Sequence, residues 1–366
     1  NGWLISETAP QYGASFDLNK KVVQKAESYG LEFALSMVKL RGFGGKTEFW
    51  DHALESFTLM AGLAAVTDKI KLIASTAILT LPPAITARMA STISSIAPGR
   101  VGVNIVTGWA PAEYTQQGLW PGDEYFGYRY DYATEYVQVM RDLWQKGSSD
   151  FKGEHFTMDD CKLSPAPEGD VKIVAAGQSA KGMAFAANHA DYNFILGSGI
   201  NTPMAVKPSV DKLVEAAKES GRDVGAYVLF MVIADETDEK AQAKWDHIRS
   251  GVDADALAWM ADQGSKDTAA DDSSTAKTIN LPIHHISTKD FPLLGLRRIL
   301  KGLAEELEIG RGFALIRGVP VDQYNEDETA KIGWQYEVSA AIGVDYYLYQ
   351  KKYWIHSWVS VMPYSK

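Results

Sequence analysis

Six short, almost continuously apolar runs constrain this chain more than any other feature. They span Leu31 to Val38, Ile70 to Ala77, Arg100 to Val106, Val171 to Ala176, Tyr192 to Leu196 and Tyr227 to Ala234. Strands buried on both faces read this way, because helices cover each side of a parallel sheet and no face is left for water. Helix-like stretches separate the runs: Phe16 to Tyr29, Glu55 to Thr67, Pro82 to Ile96, Arg129 to Trp144, Met204 to Glu219 and Asp238 to Ile248. Asp17 can cap the first helix, Gly30 suits its end, and Pro82-Pro83 suits a helix start. The alternation predicts parallel βα units, arranged either as an open doubly wound sheet or as a barrel. Open dinucleotide folds carry a glycine fingerprint in the first βα turn, and here that turn reads Lys39-Leu-Arg-Gly-Phe-Gly-Gly-Lys46, so the barrel is preferred. Gly45-Lys46-Thr47 mimics the end of a phosphate loop, but Leu40 stands where its first glycine belongs and Glu48-Phe-Trp-Asp51 is a poor helix start. An ordinary barrel loop is the better reading.

At 366 residues the chain can hold a barrel of roughly 250 residues and a further module. Its formal charge of −10 opposes a broad nucleic-acid surface, which needs a basic face to displace phosphate counterions. Cys161 is the only cysteine, which rules out an intramolecular disulfide framework and reads as a structural thiol in a reducing, cytoplasmic compartment. No apolar run reaches the roughly 18 to 20 residues of a membrane span. The chain opens at Asn1 without Met, so the natural start is read as missing. Between Asp262 and Thr278, Ser, Thr, Ala, Asp and Lys crowd together as in a linker. The domain layout is therefore 1–262, a barrel; 263–289, a linker; and 290–366, a C-terminal α+β fragment with a helix-like Leu294 to Leu307, a strand-like Gly312 to Arg317 and a helix from Asp327 to Ala341.

Barrel active sites lie at the C-terminal ends of the strands. Arg100-Val-Gly-Val-Asn-Ile-Val-Thr-Gly-Trp109 delivers Asn104, Thr107 and Trp109 to that end. A buried amide is costly unless hydrogen-bonded, so Asn104 either meets a ligand's polar edge or ties two strands together. Val171-Lys-Ile-Val-Ala-Ala-Gly-Gln-Ser179 ends in a glycine turn before a helix, where Ser179 is either a plain N-cap or part of a phosphate cradle. Arg129 and Tyr130 suit phosphate binding, or alternatively a solvated face with aromatic packing. Metal chemistry has little support, because His52, His155, His189 and His247 lack paired ligand spacing and His284-His285 are adjacent. Nucleophilic catalysis is equally thin, since Gly177-Gln-Ser179 is followed by Ala180 and Lys181 and no Gly-x-Ser-x-Gly elbow occurs.

Leu35-Ser-Met-Val-Lys-Leu-Arg-Gly-Phe-Gly-Gly-Lys-Thr-Glu-Phe-Trp-Asp-His52, Val103-Asn-Ile-Val-Thr-Gly-Trp109, Trp120-Pro-Gly-Asp123 and Arg129-Tyr-Asp-Tyr132 resemble the bacterial luciferase-like flavin-dependent monooxygenases, and among them those of pyrimidine degradation. The resemblance runs from Asn1 to about Asp267 and includes Ala175-Ala-Gly-Gln-Ser179 and Tyr227-Val-Leu-Phe-Met-Val-Ile-Ala-Asp-Glu236. It implies an α/β fold, a TIM-like (β/α)8 barrel of the bacterial luciferase type, with Val38, Lys39, Asn104, Glu113, Arg129, Tyr130 and Ser179 at flavin-contact positions. Arg129, Tyr130 and the Ser179 helix start would hold the FMN phosphate, Asn104 would address the ring or its oxygen adduct, and Trp109 would wall the pocket. Glu113 would meet a ribityl hydroxyl or a charge partner. Reduced FMN would come from a separate NADH-dependent flavin reductase and, with O2, open uracil or thymine between N3 and C4. No nucleic-acid or membrane partner is implied, and a homo-oligomer is left open.

Relative to that family the barrel is read as lacking its first and last strands, which are neighbours in a closed barrel. In their place, Asp290-Phe-Pro-Leu-Leu-Gly-Leu and Glu305-Glu-Leu-Glu-Ile-Gly-Arg-Gly-Phe-Ala-Leu-Ile-Arg-Gly-Val-Pro320 resemble the N-terminal part of taurine dioxygenase-like iron oxygenases. The iron ligands are absent there, because His356 is the only later histidine. Two alternatives follow: a chimeric or truncated inactive product, and a related oxidoreductase using a deazaflavin or another heterocycle.

Overall fold

The computed structural model describes residues 5–196 and 203–267. They fall into two compact units, one holding 5–196, 203–233 and 252–267, the other 234–251. The C-terminal segment 290–366 and most of the linker lie outside the described residues.

The first unit opens with α1 (Phe16–Ser28), β1 (Phe33–Leu35), α2 (Ser56–Ala64), β2 (Lys71–Ala77), α3 (Pro83–Ile96) and β3 (Val101–Val106). A one-turn helix α4 (Pro111–Thr115) and the long α5 (Tyr125–Lys146) follow. The strand pair β4 (Ser148–Ser149) and β5 (Cys161–Lys162) precedes β6 (Lys172–Ala175), α6 (Ala180–His189), β7 (Tyr192–Leu196), α7 (Lys207–Ser220) and β8 (Gly225–Leu229). The second unit carries α8 (Asp238–Ser250), capped by Thr237 and with Asp238 and Glu239 favouring the positive end of its dipole. The first unit resumes with α9 (Ala254–Ser265). No helix among the described residues is long and apolar enough to cross a membrane.

The expected alternation is present as one parallel sheet ordered β1-β2-β3-β6-β7-β8. Alternate side chains sort to opposite faces. Leu72 and Ala74 of β2, Val103 and Ile105 of β3 and Ile173 of β6 are buried in one cluster with Phe57, Met60 and Leu63 of α2, Ala87 and Ala90 of α3 and Val137 and Met140 of α5. Each large side chain buried there contributes about 1.5 to 3 kcal/mol relative to exposure. Tyr136 brings a hydroxyl into that layer at little cost, because it donates to the Leu81 carbonyl at 2.9 Å and lies 2.5 Å from the Thr86 hydroxyl. The opposite face turns inward. There Phe33 of β1 stacks on Tyr227 of β8 with centroids 4.4 Å apart, and Tyr192 of β7 stacks on Tyr227 at 4.3 Å. The sheet is thus a TIM-like half-barrel, curled until side chains of its two edge strands meet. No described strand pairs with the outer edge of β1 or β8.

Several boundaries differ from the sequence expectation. Ser15, not Asp17, caps α1 by accepting from the Leu18 N–H at 3.2 Å, and Asp17 sits in the first turn. The run Leu31 to Val38 gives only three paired residues, because the chain past Ser36 leaves the sheet for the rim. The Tyr227 run begins pairing earlier, at Gly225, and Phe230, Met231 and Val232 are exposed beyond the strand. α5 starts four residues before Arg129. The excursion from Phe151 is held by Glu135, whose carboxylate accepts the N–H groups of Glu154, His155 and Phe156. α9 has no counterpart among the helices expected from the sequence, and the compositional break at Asp262 falls inside it.

Candidate active site

All nine residues singled out from the sequence, Val38, Lys39, Asn104, Thr107, Trp109, Glu113, Arg129, Tyr130 and Ser179, line a single cavity of about 800 Å³. It opens on the C-terminal ends of the parallel strands, where each strand releases its loop. Its walls include Phe33, Leu35, Phe194 and Tyr227, so a largely apolar space is bounded by a few polar groups.

The orientation of Asn104 follows from its neighbours. Ser75 of β2, opposite Asn104 in the register, donates its hydroxyl to the Ser36 carbonyl at 2.6 Å. With its proton committed, the Ser75 oxygen accepts from Asn104 Nδ2 at 2.9 Å. That leaves Asn104 Oδ1 buried without a partner. The strand-tying reading is thus present in the amide's Nδ2 end, which joins β3 to β2, while the Oδ1 end is a buried acceptor, costing about 1 to 3 kcal/mol if nothing donates to it.

Lys39 and Glu113 form a buried ion pair at 2.5 Å, with side chains 3% and 9% exposed. The second Glu113 oxygen accepts the Leu40 N–H at 3.0 Å. Between the alternatives left open for Glu113, the charge partner is thus present within the chain. The Lys39 ammonium also lies 4.1 Å from the Phe43 ring centroid, 4.9 Å from Trp109 and 5.7 Å from Trp50. Burial pushes the Lys39 pKa below the ordinary lysine value, and Glu113 opposes that shift. Phe43 and Trp50 escaped the sequence reading, although the aromatic density of their loop was the available signal.

A second polar end is built from α5 and the start of α6. Arg129 is buried, with Nη1 3.4 Å from the Gly108 carbonyl, Nη2 2.8 Å from Asp267 and Nε without a partner. Both Asp267 oxygens lack hydrogen bonds, so this contact is an ion pair of poor hydrogen-bond alignment. The Tyr130 hydroxyl lies against Gly177 and Gly182, and a Cβ added at either glycine would meet it within 2.7 Å. Only glycine permits that close approach. Ser179 caps α6 by accepting the Gly182 N–H at 3.2 Å, as the N-cap reading holds.

α9 supplies the rim that the sequence reading lacked. Asp253 caps it, Met260 lines the cavity, and Asp267 just beyond its end reaches Arg129. The missed Thr47 N–H and hydroxyl both donate to Asp253, at 2.7 and 2.9 Å. The Gly45-Lys46-Thr47 segment is accordingly part of a loop held to α9.

A parallel βα half-barrel with a cavity at its C-terminal strand ends defines the class of barrel enzymes that build their sites from βα loops. The model of the luciferase-like monooxygenase family matches residues 3–285, and the chain belongs to that family. It is 69% identical over 282 residues to the pyrimidine monooxygenase RutA of Bradyrhizobium sp. (strain BTAi1), covering 77% of this chain and 78% of that one. It is 59% identical over 307 residues to the protein of the same name from Klebsiella pneumoniae (strain 342), covering 84% and 85%. Among solved structures, the riboflavin lyase RcaE with modified FMN and riboflavin aligns with a TM-score of 0.62 at 17% identity, covering 89% of this chain and 78% of that one. At that identity the likeness concerns the fold.

Proposed function

We propose that this chain is an FMN-dependent monooxygenase that opens the ring of uracil or thymine between N3 and C4, using reduced flavin delivered by a separate NADH-dependent reductase, and O2. One observation carries the reading: Arg129, Tyr130 and the Ser179 helix start share one largely apolar cavity with Asn104 and the Lys39–Glu113 pair, in a chain 69% identical over 282 residues to a pyrimidine monooxygenase.

The residues present fit a flavin. The unpartnered Asn104 Oδ1 and Arg129 Nε are buried polar atoms awaiting a ligand's donor and acceptor. Arg129, the Tyr130 hydroxyl and the helix start at Ser179 would hold the phosphate, since guanidinium and backbone N–H groups both favour an anion there. Asp267 stands on the same guanidinium, so a phosphate requires its carboxylate to withdraw or take a proton. Bound reduced flavin supplies the electrons that activate O2. Asn104 orients a ring by accepting a hydrogen bond, Trp109 and the apolar walls exclude water, and the Lys39–Glu113 pair offers the substrate a fixed donor and acceptor. Cleavage of N3–C4 leaves N3 as the amine of a ureido group and C4 as a peroxy acid, which balances uracil, one O2 and the two electrons and two protons of the reduced flavin; loss of one oxygen atom to a reductant then gives the plain ureido acid.

The lowered Lys39 pKa makes this pair pH-sensitive. As pH rises through that depressed value the ammonium is lost and Glu113 loses its partner, so turnover should fall at a pH below the ordinary lysine range. Lys39→Arg should move the alkaline limb upward in a pH–rate profile. An unmoved limb would assign it to another group.

The proposal is tested with purified chain, FMN, flavin reductase, NADH and uracil in air. The expected result is a ureido acid that forms only when all components are present. Uracil left intact while flavin is bound would direct the search to another heterocycle.

A further inference from the structure

The buried Lys39–Glu113 pair is carried by two weak elements. Glu113 sits on α4, a single turn whose own cap residue, Ala110, offers no side-chain acceptor. One turn has too few internal hydrogen bonds to hold itself. Its missing cap comes from far along the chain: Gln263 Oε1, on α9, accepts the Ala112 N–H at 2.9 Å, and Gln263 is 1% exposed. Lys39 sits on the loop that also carries Phe43 and Trp50, and the Thr47 part of that loop is fixed by two hydrogen bonds to Asp253, the residue that caps the start of α9. One helix thus grips the supports of both charges, at its N-cap and near its last residue.

We infer that α9 is a clasp for the Lys39–Glu113 pair, and that Gln263 is a positioning residue, fixing Glu113 in the cavity through the Ala112 amide. The functional consequence rests on the pyrimidine monooxygenase reading; the structural one does not. Were Gln263 ordinary packing, its loss would change stability alone.

The test compares the full chain with Gln263→Met and with Asp262→Asn/Gln263→Glu. Methionine keeps the length and removes the acceptor. Glutamate restores an acceptor at the positive end of α4, and Asp262→Asn removes the carboxylate that Gln263 Nε2 now faces at 3.0 Å. Hydrogen exchange of the peptide spanning 110–116 should accelerate about tenfold in Gln263→Met and return toward wild type in the glutamate variant, as expected for one buried hydrogen bond lost and regained. The KM for uracil should rise about tenfold in Gln263→Met with kcat within about twofold, and recover likewise. Unchanged exchange at 110–116, or an equal defect in both variants at wild-type melting temperature, overturns the inference. If wild type does not turn over uracil, the exchange arm still decides, and the failure belongs to the functional proposal. Should Gln263→Met not fold, Thr47→Val makes the same test at the other end: faster exchange across 39–51 supports the clasp, and unchanged exchange there contradicts it.

Discussion

Replacing Arg129 by Met and Asp267 by Asn together is expected to weaken FMN binding by about a hundredfold, while riboflavin binding stays within about threefold. The double change is needed because Asp267 is buried against Arg129, and removing the guanidinium alone would strand a carboxylate at a cost of about 3 to 5 kcal/mol. With both charges gone the fold keeps its packing, and what remains is the loss of charge-assisted hydrogen bonds to the phosphate. Riboflavin lacks that group and serves as the internal control. Asp267→Asn alone should act in the opposite direction, tightening FMN binding by removing the competing anion. Fluorescence-quenching titrations with both flavins check all three statements. An equal loss for FMN and riboflavin would place the phosphate elsewhere.

Asn104→Leu should lower turnover by about a hundredfold, the cost of a misoriented ring, with little change in stability. The two effects separate because of how the amide is used. Wild type keeps Asn104 Oδ1 buried without a partner, so removing it relieves a cost, while the Ser75 oxygen loses only a donor and still donates to Ser36. A buried acceptor with an unmet hydrogen bond calls for an explanation, and a ligand contact at Asn104 Oδ1 is the one this substitution tests. Steady-state kinetics beside thermal melts measure both quantities. Full activity in Asn104→Leu would reduce its role to tying β3 to β2.

Much of this site was legible in the sequence, for a physical reason. A parallel strand announces itself by continuous apolarity, and its C-terminal end fixes where Asn104, Trp109 and Ser179 must emerge. The family resemblance added Val38, Lys39 and Glu113, which no periodicity marks. What remained hidden acts through the backbone. Gln263 matters because it accepts one amide N–H, Asp253 because it accepts from Thr47, and Asp267 because chain geometry returns it to Arg129. Such partnerships leave no spacing pattern. α9 itself was readable in hindsight: Asp253 is an N-cap, and Ala256, Trp259, Met260 and Gln263 recur at helical intervals behind it. The polar composition that begins at Asp262 masked its last turn. The strand ends misjudged near Val38 and Phe230 share one cause, since apolar residues that line a cavity rim read like buried strand.

The central claim is that this cavity brings a flavin and O2 to a pyrimidine ring, and isotope labelling tests it most directly. Uracil turned over under ¹⁸O2, with FMN, reductase and NADH, should give a ring-opened ureido acid whose C4 acid group carries oxygen from O2. Label arriving only from H2¹⁸O would make the ring opening a hydrolysis and contradict the assignment.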